Sequence, residues 1–150
     1  MIKGLKNPKR NAPSVSRKAA RSSSVNKNET TPQDFALFKN EILKWIKVLG
    51  LNNWEIYFSH SNIEHGDVLA TTSWSLTNRS VTFTLSKDWA DHARHDQEEI
   101  KMTALHEVLH LLLARLTTLA RHRFIREEEI LDSIHEVVSI LGELLYNGKN

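Results

Sequence analysis

The sequence predicts an α+β fold, with a small antiparallel sheet of about three strands packed on helices. Three features predict it. Apolar residues recur at helical spacing before residue 50, short alternating runs follow between residues 54 and 86, and helical spacing returns beyond residue 96.

The first helix opens at Thr31, a residue suited to an N-cap, with Pro32 at the first helical position and Asp34 in the first turn. Phe35, Phe38, Ile42, Trp45, Ile46 and Leu49 then form one stripe, and Gly50 supplies the stop. Trp54–Phe58 and Val68–Ser75 read as strands. Ser80–Ser86 alternates cleanly, with Val81, Phe83 and Leu85 facing one way. Thr77-Asn78-Arg79 is a short turn, so the second and third runs are expected to form an antiparallel hairpin.

Asp96 and Glu99 have capping-box spacing, and Ile100–Arg121 contains no Gly or Pro, which predicts one continuous helix with a buried middle. Arg121-His122-Arg123 places positive charge at its C-terminus. Glu127-Glu128-Glu129 opens an antiparallel C-terminal helix. Its core stripe is Ile130, Ile134, Val137, Val138, Leu141 and Leu145, and Gly148 ends it.

Composition limits the function classes. The 150 residues suffice for one domain with its own core. With no cysteine, disulfides, thiol nucleophiles and thiolate-bound metals are excluded. No apolar run approaches the roughly 18 residues of a membrane span. The basic N-terminus has no apolar stretch behind it, so no secretory signal is expected and the chain reads as cytoplasmic.

Charge is unevenly spread. Between Met1 and Thr31, eight basic residues stand against Glu29 alone, so this segment carries +7 and the remainder −5. Residues 1–31 are therefore expected to form a disordered basic tail ahead of a folded domain over 32–150. Such a tail suits solubility, or an acidic partner such as nucleic acid, although it has no aromatic residues for base stacking.

The chemistry concentrates in His106-Glu107-Val108-Leu109-His110. On a helix, residues four apart lie on one face, one turn above the other, so both imidazoles reach one Zn²⁺. Glu107, turned by about 100°, meets a metal-bound water and serves as general base. Two imidazoles and a carboxylate in an apolar helical run would be costly without a partner, and a metal supplies one.

A catalytic zinc site needs a third protein ligand. Leu111–Ala120 contains no His or Gly, which excludes the metzincin continuation. A spacer of 18 residues lands on Glu129, but no helix breaker precedes it. If two antiparallel helices turn near Arg123, the positions level with His110 are His135 and Glu136. His135 is the first choice and Glu136 the second. His122 reads as a helix-terminal charge, and His60, His65, His92 and His95 read as solvated.

The order of a helix, Leu49-Gly50-Leu51-Asn52-Asn53-Trp54, a small sheet and Ala104–Leu113 resembles the minimal zincin domains of phages and prophages. Those are related in plan to SprT-like and ImmA/IrrE-like metallopeptidases. The resemblance spans roughly Phe35–Tyr146, and its specific part is the His-Glu-x-x-His core. It implies a zinc metallopeptidase in the host cytoplasm, acting on a peptide or protein substrate. His106 and His110 would bind zinc, Glu107 would act as base, and a ligand would come from the following helix. It also implies that an extended substrate pairs with a strand near that helix, here Ser80–Ser86. The alternatives are a non-catalytic zinc-containing binding module and a DNA-associated protease using the basic tail.

Overall fold

The computed structural model describes residues 29–64, 68–89 and 94–147. The basic segment before Glu29 and the residues His65, His92 and Gly148 lie outside them. In chain order the elements are α1 (Pro32–Val48), β1 (Glu55–Ser61), β2 (Ala70–Ser75), β3 (Ser80–Ser86), α2 (Gln97–Leu112), α3 (Ala114–Ala120) and α4 (Glu127–Asn147). The α+β class and the three strands agree with the sequence reading.

Both ends of α1 are fixed locally. Asp34 Oδ2 accepts from the Thr31 N–H at 2.8 Å, and the Asp34 N–H donates back to Thr31 Oγ1 at 3.2 Å, closing a capping box. At the other end Gly50 takes φ +67°, which costs it no Cβ clash. The Leu51 N–H then reaches Ile46 O at 2.9 Å and the Gly50 N–H reaches Lys47 O at 3.3 Å, a Schellman ending. Leu51 and Ile46 are both buried, which seals this end against the core.

Glu29 and Thr30 belong to the sheet side of the body, although they fall in the stretch read as tail. Glu29 bridges Asp88, and Thr30 donates from its N–H to Lys87 O at 2.9 Å.

The strand order is β1-β3-β2. β2 and β3 form the expected antiparallel hairpin, pairing Ala70 with Leu85 and Ser75 with Ser80. β1 runs parallel to β3, so the sheet is mixed and not antiparallel throughout. The reason lies in the connection. β1 ends at Ser61 and β2 begins at Ala70 on the far side of β3, so β3 enters the sheet between two strands that precede it in the chain. Alternating patterns mark strands but do not encode which strand each one meets.

Register places Ile56, Phe58 and His60 beside Val81, Phe83 and Leu85, which in turn lie beside Trp74, Thr72 and Ala70. Phe83 and Leu85 are completely buried, packed with Phe38 and Ile42 of α1 and Ile100, Ala104 and Val108 of α2. The opposite face carries Thr82, Thr84, Thr71 and Ser73. Among the described residues the helices thus cover the sheet on one side. On the covered face Thr72 and His60 are the polar exceptions.

The long helix expected over Ile100–Arg121 is two helices, joined at Leu113 (φ −89°, ψ 2°). No Gly or Pro forces the break; tertiary contacts hold it. Ala114 is fully buried, and the Trp74 indole N–H donates to Thr118 Oγ1 at 3.2 Å, drawing α3 against β2. The Thr118 hydroxyl donates to Ala114 O at 2.7 Å, a back-bond that favours bending. Among the described residues no helix is long and apolar enough to cross a membrane.

Candidate metal centre

α2 starts at Asp96, whose carboxylate accepts the Glu99 N–H at 2.8 Å, and its inward stripe is Ile100, Ala104, Val108 and Leu111. This stripe fixes the rotation of the helix. It leaves His106 and His110 on the exposed side and turns Glu107 inwards toward β2, where it is 5% exposed. The rotation of about 100° per residue that separates Glu107 from His106 therefore separates a buried carboxylate from exposed imidazoles.

The Nε2 atoms of His106 and His110 lie 3.0 Å apart, with the rings edge to face at 4.7 Å between centroids. Two nitrogens bound at about 2.05 Å to a tetrahedral ion are roughly 3.3 Å apart, so the pair fits a zinc ion with a small adjustment. One atom each from His106, Glu107 and His110 lie within 4.8 Å of one another, and together they can bind a metal ion. Among the described residues this is the one such group.

The Glu107 carboxylate accepts from Thr72 Oγ1 at 2.5 Å, and the same hydroxyl lies 3.1 Å from Glu107 O. Sequence reasoning missed Thr72. A signal was present, because the alternation Ala70, Thr72, Trp74 puts a hydroxyl on the core face of β2. Beside the triad is a cleft of about 490 Å³ lined by Val68, Leu69, Met102, Thr103, His106 and Glu107. On the far side of Thr72 a groove runs past Trp74 to Arg121 and His122.

The structure does not bring His135 or Glu136 to this group. His135 is exposed on α4, and Glu136 accepts from Arg115 at 3.2 Å. The break at Leu113 is the physical reason, since level positions on a helical hairpin require two uninterrupted helices. Nor is β3 open to an extended peptide, because it is hydrogen-bonded on both sides. Among the described residues the free edge next to α2 belongs to β2.

Two of the remaining histidines are partnered and not simply solvated. His60 stacks on Phe35 at 4.9 Å and contacts Thr30 Oγ1 at 2.7 Å. That hydroxyl donates to Ser86 O at 2.6 Å, so His60 is the donor to it. Burial, together with nearby Lys87, lowers the His60 pKa below its ordinary value against the opposing pull of Asp34. His95 stacks on Trp89 and pairs with Asp34 at 3.2 Å. Burial pushes the Asp34 carboxyl up, but the Thr31 N–H, the Thr31 hydroxyl and His95 outweigh it and hold Asp34 below its usual range.

Compared with known proteins, the chain matches no family model, no curated relative and no solved structure.

Proposed function

We propose that this chain is a zinc-dependent hydrolase that cleaves peptide bonds, in keeping with its resemblance to minimal zincin domains. One observation carries the reading: two imidazole nitrogens 3.0 Å apart on the exposed side of α2, with a ligand atom of the buried Glu107 within 4.8 Å of theirs. A structural pair of histidines has no need of that carboxylate.

His106 and His110 would hold the ion. When bound, zinc supplies Lewis acidity, polarising a carbonyl and bringing the pKa of a coordinated water down to about 7. Glu107 takes a proton from the attacking water as the new C–O bond forms. It then returns that proton to the amide nitrogen as the C–N bond breaks, so the carboxylate is restored. The outer edge of β2 offers backbone N–H and C=O groups to an extended chain lying over the triad.

The test compares zinc content and casein hydrolysis of the wild type with Glu107→Gln. Retained zinc with lost hydrolysis supports the reading. Equal behaviour of the two proteins, each holding zinc, would make the ion structural and remove the hydrolase assignment.

A further inference from the structure

We infer that Thr72 is a positioning residue, which fixes the Glu107 carboxylate in the orientation from which it exchanges protons. The inference rests on the hydrolase reading for its catalytic consequence but not for its geometry.

A carboxylate taken out of water needs hydrogen-bond donors to replace those of the solvent. Among the described residues the Glu107 carboxylate has one hydrogen-bonding partner, the Thr72 hydroxyl at 2.5 Å. That distance is typical of a charge-assisted O–H···O⁻ bond. The hydroxyl has a single proton and two acceptors in reach, and the main-chain carbonyl of Glu107 at 3.1 Å is the more distant. The hydroxyl therefore donates to the carboxylate. One carboxylate oxygen is held, and the other is left for the reacting water.

The strand that delivers the hydroxyl is itself held. β2 is bonded to β3 along its whole length, with Thr72 opposite Phe83 at the buried centre of the sheet. Two residues on, Trp74 is tied to α3 through Thr118. Thr72 is thus carried by a rigid element and not by a loop, which is what a positioning group requires. A valine would suit the β-strand and the apolar face equally well. The hydroxyl at this position is explained by Glu107.

The experiment uses the full chain as wild type, Thr72→Val, Thr72→Ser and Glu107→Gln. The first readout is the side-chain carboxyl ¹³C resonance of Glu107 in glutamate-labelled, metal-free protein, assigned by its absence from Glu107→Gln. The second is the casein hydrolysis rate of the zinc-loaded proteins, with zinc content measured alongside. Thr72→Val is expected to keep zinc, move the Glu107 resonance and lower the rate about 10- to 100-fold. Thr72→Ser is expected to restore both. An unmoved Glu107 resonance, or a Thr72→Val rate equal to wild type, overturns the inference. So does a Thr72→Ser protein that stays as slow as Thr72→Val. If Thr72→Val does not fold, Thr72→Cys, with a weak donor of similar size, takes its place. If wild type and Glu107→Gln are equally inert, the hydrolase reading falls, and the Glu107 resonance alone decides whether Thr72 holds the carboxylate.

Discussion

His106 and His110 touch through their Nε2 atoms at 3.0 Å, and only one of the two rings can carry its hydrogen there. An ion between them uses both lone pairs at once. Binding to the folded chain alone stabilises it by about 2.7 kcal/mol when free zinc is 100 times Kd. Zinc is therefore expected to raise the melting temperature of the wild type by several degrees. His106→Ala and His110→Ala should lose this rise, whereas Glu107→Gln should keep it. His135→Ala should also keep it, because His135 stands on α4 outside the triad. Differential scanning calorimetry with and without zinc checks all four. Loss of the rise in His135→Ala would mean that α4 reaches the site when metal is bound.

What was legible in the sequence is what local chemistry decides. Thr31, Pro32, Asp34 and Gly50 fix the ends of α1 through contacts a few residues long, and each sits where the sequence placed it. The His-Glu-x-x-His spacing becomes a group able to hold a metal ion because the helix repeat alone brings His106 and His110 together. The parallel pairing of β1 with β3 was not legible, since it depends on what fills the slot beside β1. The placement of His135 and Glu136 away from His106 and His110 was not legible for a related reason. Arg115 meets Glu136, a pair symmetric about residues 125 and 126, so the hairpin is centred later than Arg123. The helix on one side of it is also broken at Leu113.

Stability should fall in two stages as pH drops. His60 has a folded pKa below 6.5, so the unfolded chain takes up its proton first as pH falls past 6.5. Stability is lost from there until His60 is protonated in the folded state as well. Asp34 has a folded pKa below 3.8, so its contribution is complete above 3.8 and is lost as pH falls through the folded value. Urea denaturation at intervals between pH 8 and pH 3 measures both stages. His60→Gln keeps a donor to Thr30 and should flatten the upper stage while leaving the lower one.

Ser133 is the one buried residue of α4, 1% exposed, and its hydroxyl has no hydrogen-bond partner among the described residues. A buried hydroxyl left unpaired costs about 1–3 kcal/mol, and serine is also a weaker helix former than alanine by roughly 0.5 kcal/mol. Ser133→Ala should therefore stabilise the chain by about 1 kcal/mol, read as a higher urea midpoint at unchanged slope. A lower midpoint would show that the hydroxyl is paired in solution.

Arg79 closes the β2–β3 turn in the left-handed region at φ +48°, a conformation that costs a residue with a Cβ about 1–2 kcal/mol. Its backbone is engaged on both sides: the N–H donates to Leu76 O at 3.3 Å, and the carbonyl accepts the Glu55 N–H at 2.8 Å. The turn therefore cannot relax without releasing β1 as well as the hairpin. Glycine removes the Cβ clash but gives the unfolded chain more freedom, so Arg79→Gly should gain about 0.5–1 kcal/mol net. Arg79→Val should lose about 1 kcal/mol or more, because β-branched residues tolerate positive φ least. Urea melts of the three proteins order them glycine, arginine, valine. If Arg79→Gly fell below the wild type, the arginine side chain would be contributing more to this turn than its backbone conformation costs.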